Sequence, residues 1–324
     1  MFRHLAFLAS VLFCAAANAQ TALKVKLFPG AQALPAIAAA SQGIFERHGL
    51  KVDILFTANS QEQRDGLAAG EFQIAQAAVD NAVAMVELAK QDVVIVTGGD
   101  SSMNEFFVQP DIHSYGDLRG HTLLVDAPNT AYALQLKKIL LMNGLKEGAD
   151  YKIYPIGGTA QRLRGMRENK EYKAAMLNLP FSLEAKAAGL KSMGAAVDLI
   201  GPYQANGSFV LRSWAQANRD TLERYIAGLI EGTRWVLSPA NQAAATRLLA
   251  ERLKVSPEVA AQTWQVMTDP KAGLAQDGRF DMQGFRNVLA LRAEIEGSWG
   301  GKPPAPDRYV DLSFYDNAQK RLAR

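Results

Sequence analysis

From Ala22 to Ile200 the chain alternates strand-like and helix-like patterns, and that alternation restricts the fold more than any other feature. ALKVKLF (22–28) sets apolar residues against basic ones with a period of two and is stopped by Pro29 and Gly30, so it reads as a strand. The small residues from Leu34 to Ser41 read as a helix. IFERHGL then closes at Gly49, where a left-handed cap leads into the strand KVDILF. QEQRDGLAAG supplies a helix ending at Gly70, FQIAQA a third strand, VDNAVAMVELAK a helix and DVVIVTGG a fourth strand. Strands joined by connections of this length run parallel, with helices laid over both faces of the sheet.

A second alternation starts at TLLVDAPNTAYAL (122–134). It contains a short buried strand, a polar elbow punctuated by Pro128, and the first turns of a helix that continues through Leu136, Ile139, Leu140 and Leu141 to Gly144. YKIYPI, a helix from Thr159 to Glu168, the strand KAAMLNL, a helix from Phe181 to Ala188, a strand ending near Ile200 and the strand SFVLR follow. From Trp214 onwards every pattern is helical, with Ser238-Pro239 and Ser256-Pro257 as start signals.

The expected fold class is therefore α/β with two lobes, each a doubly wound sheet, joined by two crossing strands and followed by a helical C-terminal tail. The polar, turn-rich segments PDIHSYGDLRG and GPYQANG sit symmetrically about the second alternation and are expected to form the hinge. Lobe one is expected over residues 21–110 plus 203–324, and lobe two over 111–202. A chain of 324 residues is long enough to give each lobe its own core.

The N-terminus reads as a leader. Arg3 and His4 precede an apolar run from Leu5 to Ala17, and Ala17-Asn18-Ala19 before Gln20 is a small-residue cleavage site, so residues 1–19 are expected to be a cleaved signal peptide and the compartment a periplasm. Cys14, the one cysteine, lies inside that segment behind the bulky Phe13, which argues against a lipid-attached cysteine. The formal charge of +3 gives no reason to expect a nucleic-acid partner held through phosphates. His48, His113 and His121 have no metal-ligand spacing, and no phosphate-binding glycine loop or nucleophile elbow is present, so neither a metal, a cofactor nor catalysis is expected.

Four stretches carry a family resemblance: LPAIAAASQGIFERHGLKVDI, DLRGHTLLVDAPNTAYALQLKKILLMNGL, GGTAQRLRGM and LNLPFSLEAKAAGLKSM. In order and layout they resemble the type II solute-binding proteins of ABC importers, within the group of sulfonate, nitrate and thiamine-precursor binders. The resemblance implies a periplasmic monomer that closes its lobes on a small polar organic ligand (a sulfonate, a carboxylate or an aminopyrimidine) and delivers it to an inner-membrane ABC permease. Two departures leave the ligand open: Gly70-Glu71-Phe72-Gln73 and Lys170-Glu171-Tyr172-Lys173-Ala174 stand where many relatives carry an aspartate before the strand. The alternatives are an exported sensor that docks on a membrane receptor, and an enzyme resembling the pyrimidine synthases of thiamine biosynthesis, whose cysteine-rich motif is missing here.

Ligands in open α/β sheets bind outside the carboxyl ends of the strands. That rule selects Phe28, Gln32, Asn59, Ser60, Asp80, Asn81 and Asp100 from the first lobe, Asn129, Thr130, Tyr132, Thr159 and Phe181 from the second, and Tyr203 from the hinge. Asn129 and Thr130 either cap the helix after the elbow or leave its N–H groups for an anionic or carbonyl group. Thr159 behind Gly157 and Gly158 repeats that geometry. Asp80, Asp100 and Asp126 near strand ends favour an amine or aminopyrimidine over a plain oxyanion, unless each is consumed by a cap or ion pair. Arg162 and Arg164 read as lying a turn into their helix. Phe28, Tyr132, Phe181 and Tyr203 could sandwich a planar ligand or belong to the core.

Overall fold

The computed structural model describes residues 20–101, 104–270 and 273–323, so the expected leader lies outside the described residues. The strands are β1 (Thr21–Leu27), β2 (Leu50–Phe56), β3 (Ile74–Ala78), β4 (Val93–Ile95), β5 (Asn104–Val108), β6 (Thr122–Val125), β7 (Lys152–Pro155), β8 (Tyr172–Asn178), β9 (Lys191–Ala195) and β10 (Asn206–Leu211). They form two five-stranded sheets, of order β2-β1-β3-β10-β4 and β7-β6-β8-β5-β9. In β1 the alternation does what the sequence requires: Leu23, Val25 and Leu27 are buried while Ala22 and Lys24 face water.

Each sheet is covered on both faces. Around the first, Val25, Ile74 and Val210 belong to one core and Ala75, Ile95 and Phe209 to the other; around the second, Phe106 and Leu123 lie on one side and Phe107 and Leu124 on the other. The first lobe carries α1 (Leu34–Ser41), α2 (Ile44–Arg47), α3 (Ser60–Ala68) and α4 (Asp80–Glu87). The second carries α5 (Ala131–Met142), α6 (Thr159–Glu168), α7 (Phe181–Ala187) and α8 (Ala196–Ile200). The tail comprises α9 (Arg212–Ala217), α10 (Arg219–Leu237), α11 (Gln242–Leu253), α12 (Pro257–Met267), α13 (Met282–Glu296) and α14 (Ser313–Leu322). The expected single helix after Trp214 breaks at Asn218, which separates α9 from α10. α10 lies so close to α1 that a Cβ at Gly232 would stand 2.3 Å from the Pro35 carbonyl oxygen, so only glycine fits that crossing.

One strand in each sheet runs against the others, and the reason is topological. β10 is antiparallel to β3 and β4, and β5 is antiparallel to β8 and β9. The parallel strands point their carboxyl ends at the cleft between the lobes. A strand arriving directly from the other lobe starts in the cleft, so it must run away from it.

The hinge differs from the expectation. Asn104–Val108 pairs inside the second sheet, so the chain crosses between β4 and β5, ahead of PDIHSYGDLRG. That polar segment belongs to lobe two, where Ile112 and Leu118 are buried in its core and Ser114 and Asp117 form a capping box. The return crossing, between α8 and β10, does fall in GPYQANG. The two crossings touch where Ala205 N–H donates to the Asp100 carbonyl at 3.1 Å.

Candidate ligand-binding site

The carboxyl ends of both sheets face one cavity of about 750 Å³, counting the space open to solvent. The end of β1 contributes Phe28, the loop into α3 contributes Thr57, Ala58 and Ser60, and the start of α4 contributes Asn81. Asp100 comes from the first crossing. The second lobe supplies Asp126 and Thr130 to Tyr132 from the elbow, Gly158 to Arg162 from the start of α6, and Asn178 from the end of β8.

The lobe-two wall brings two helix starts and an arginine beside the Asp126 carboxylate. Thr130 and Gly158 stand at the N-caps of α5 and α6, and neither helix has a side-chain cap. The first intrahelical donors are Leu134 N–H to Thr130 and Arg162 N–H to Gly158, which leaves the preceding N–H groups of both first turns without a helical acceptor. Arg162 adds a full charge. Its guanidinium, 1% exposed, donates from Nε to the Met176 carbonyl (3.1 Å), from Nη1 to the Gly157 carbonyl (2.8 Å) and from Nη2 to Thr159 Oγ1 (2.9 Å). The Tyr132 ring covers it at 5.4 Å. None of these partners is a carboxylate, and these bonds use three of the group's five N–H donors. Burial pulls the Arg162 pKa below its ordinary value, an effect that the charge of Asp126 offsets only in part.

Acceptors occupy the rest of the wall. Asn81 Oδ1 and Asn178 Oδ1 are buried without a hydrogen-bond donor, and Asp100 lines the same space. Asn178 Nδ2 is held by Tyr132 Oη (3.1 Å) and Gln32 Oε1 (3.3 Å), so the Asn178 carbonyl is left to face a ligand donor.

The lobes are closed on each other. Ser60 N–H and Oγ donate to the Asp126 carboxylate, with the N–H at 3.3 Å from Oδ2, so a carboxylate of lobe two caps a helix of lobe one. Gly158 N–H donates to the Ala58 carbonyl (3.0 Å); a Cβ at Gly158 would stand 3.2 Å from that oxygen, a tight contact that a small residue eases. Ala31 N–H donates to the Leu179 carbonyl (3.0 Å), and Lys138 pairs with Glu294 (2.6 Å).

The sequence model of the NMT1-like family matches residues 16–250. This chain belongs to the NMT1-like family. No curated protein matches it in sequence. Among solved structures it is similar to a protein of Bordetella bronchiseptica RB50 (16% identity, 94% of this chain and 99% of that one, TM-score 0.81). It is also similar to the periplasmic nitrate-binding protein NrtA of Synechocystis PCC 6803 (14%, 94% and 89%, TM-score 0.76) and to the alkanesulfonate-binding protein SsuA of Xanthomonas axonopodis pv. citri (15%, 90% and 98%, TM-score 0.71). At these identities the likeness establishes the fold, the two-lobed type II periplasmic binding protein architecture expected from the sequence.

In this NMT1-like chain the cavity gathers Phe28, Gln32, Ser60, Asn81, Asp100, Thr130, Tyr132 and Thr159 of the residues chosen from strand ends. The others are engaged elsewhere. Asn59 caps α3 by accepting from Glu62 N–H (2.9 Å). Asp80 is fully buried in a two-pronged ion pair with Arg292 of α13, at 2.8 and 2.6 Å. The Asn129 carbonyl accepts from the same Arg292 (2.9 Å), which ties the elbow to the tail. Phe181 packs in the core beneath α6 and α7, and Tyr203 in the core between sheet one and α13. Arg162, Asn178 and Asp126 line the cavity although they were not among the chosen contacts. Arg162 has a detectable signal: helical side chains lean toward the N-terminus, so an arginine one turn into α6 reaches back to its mouth.

Thr130 does not cap α5; its Oγ donates back to the Ala127 carbonyl (3.0 Å). Thr130→Ala is therefore expected to lower stability by about 1 kcal/mol, the value of one neutral hydrogen bond, with ligand affinity changed less than about tenfold. Urea unfolding and a binding titration on the same variant check it. A large loss of affinity at unchanged stability would make the hydroxyl a ligand contact.

Proposed function

We propose that this protein is the solute-binding component of an ABC importer, which captures a small polar organic ligand by closing two lobes over it. The observation that carries the reading is the cavity itself: enclosed by contacts between lobes, walled on one side by uncapped helix starts and Arg162, and on the other by unpartnered amide oxygens. Such a site suits a ligand with a carboxylate, sulfonate or ring-carbonyl acceptor at one end and N–H or O–H donors at the other, between the Phe28 and Tyr132 rings. A ligand that touches both lobes binds the closed form better than the open one, and that difference drives closure. The closed form then delivers its cargo to an inner-membrane permease, as a monomer in the periplasm.

The names of the structural neighbours support the reading. They include a nitrate binder, alkanesulfonate binders and the ligand-binding component of an ABC-type import system of Staphylococcus aureus. One neighbour of the same fold is the desulfurization enzyme DszB, at a TM-score of 0.63. We read the present chain as a binder because the lining of its cavity contains neither cysteine nor histidine to serve as nucleophile or base.

A thermal-shift screen of the mature protein against sulfonates, aromatic carboxylates, aminopyrimidines and polyamines tests the proposal. A cognate ligand at 100 times its dissociation constant adds roughly 2.7 kcal/mol. The expected hit carries both an acceptor group and N–H or O–H donors. Silence across all four classes, together with turnover of a metabolite mixture, would overturn the transport reading.

A further inference from the structure

A second cavity of about 690 Å³ opens beside the first, between one face of α3, the end of α4 and the elbow of lobe two. Gln61, Arg64, Asp65 and Ala68 line it at helical spacing, Met85 and Leu88 form its apolar side, and Asn129 contributes from the other lobe. Arg64 is its distinctive group. The side chain is 8% exposed, yet among the described residues its one hydrogen bond runs from Nη2 to Gln61 Oε1 at 3.0 Å. Three carboxylates act on its charge, and each is already engaged: Asp80 by Arg292, Asp126 by Ser60 and Asp65 by Gln61 Nε2. Burial holds the Arg64 pKa below its ordinary value.

A buried guanidinium with most of its donors unused is costly unless an anion completes it. We propose that this second cavity binds a small organic monocarboxylate, with the carboxylate on Arg64 and a short apolar tail against Met85 and Leu88. Two features narrow the class. Leu88 is 56% exposed and Met85 buried, so the wall rewards an alkyl tail over a bare inorganic anion. Asp65, whose carboxylate accepts from Gln61 Nε2 at 2.7 Å, places a negative charge at the rim that penalises a dianion. Because Asn129 belongs to lobe two, the site is complete only while the lobes are closed. The proposal does not rest on the transport reading of the main cavity.

The test is a ligand-observed NMR titration of butyrate, acetate and sulfate against the wild-type chain, Arg64→Gln and Ala68→Phe. Ala68 is exposed and lines the cavity, and a phenylalanine there narrows it beside Arg64 while leaving Arg64 unsubstituted. Butyrate is expected to bind wild type more tightly than acetate or sulfate, and each substitution to weaken butyrate by at least about tenfold. If Arg64→Gln does not fold, Ala68→Phe alone decides the matter. No butyrate binding by wild type, butyrate binding that survives the substitution of Ala68, or sulfate binding as tight as butyrate would each overturn the proposal.

Discussion

Asp80→Ala is expected to destabilise the folded protein by about 3–5 kcal/mol, the largest single effect we foresee. The carboxylate grips Arg292 with both oxygens, and both side chains are shielded from water, at 0% and 1% exposure. Burial works against the charge on Arg292, and Asp80 outweighs it, holding the guanidinium above its ordinary pKa. Without Asp80 the guanidinium keeps, among the described residues, one hydrogen bond, to the Asn129 carbonyl, next to the already cationic Arg64. Replacing both partners, as Asp80→Ala with Arg292→Leu, removes the stranded charge and is expected to recover most of the loss. Equilibrium unfolding in urea of both variants checks this. A single substitution costing less than about 1 kcal/mol would show that the pair contributes no more than an exposed one.

Arg162→Met is expected to weaken binding of whichever screened ligand carries the acceptor group by about 2–3 kcal/mol, or roughly 30–150-fold, because a charge-assisted contact is lost. The substitution also removes the donors to the Met176 and Gly157 carbonyls, so part of the damage will be to stability. Arg162→Lys separates the two effects. It keeps the charge but cannot reproduce the three-way donation, so it should bind the ligand more tightly than Arg162→Met while sharing much of its instability. Affinity unchanged in Arg162→Met would mean that the ligand sits elsewhere. The reading of lobe two as the acceptor-binding wall would then fall.

Much of the architecture was legible because it depends on period. The alternating Leu23, Val25 and Leu27 and the glycine stop at Gly49 need no tertiary information, and the spans expected for α1 and α6 match those observed. The first crossing was misplaced because a polar segment reads as a linker whether or not its few apolar residues are buried. Ile112 and Leu118 anchor PDIHSYGDLRG on the core of lobe two while most of its other residues stay exposed. The site divides similarly. Strand ends locate loops, and Phe28, Ser60, Asn81 and Tyr132 follow from that alone. Whether a polar residue at a strand end faces a ligand depends on a partner far along the chain. Asp80 is claimed by Arg292 from the tail, and Asp126 by Ser60 from the opposite lobe, pairings that no local pattern discloses.

The strand exchanged between the sheets also sets an order of assembly. Lobe two is continuous from β5 to α8, so it holds all its own strands as soon as it has been made. Lobe one lacks β10, and until that strand inserts, β3 and β4 have no common neighbour and each presents an open edge. Ala78 must wait for Asn206, with the whole of the second lobe lying between them in the chain. Closing so long a loop is slow, and the first lobe therefore completes last.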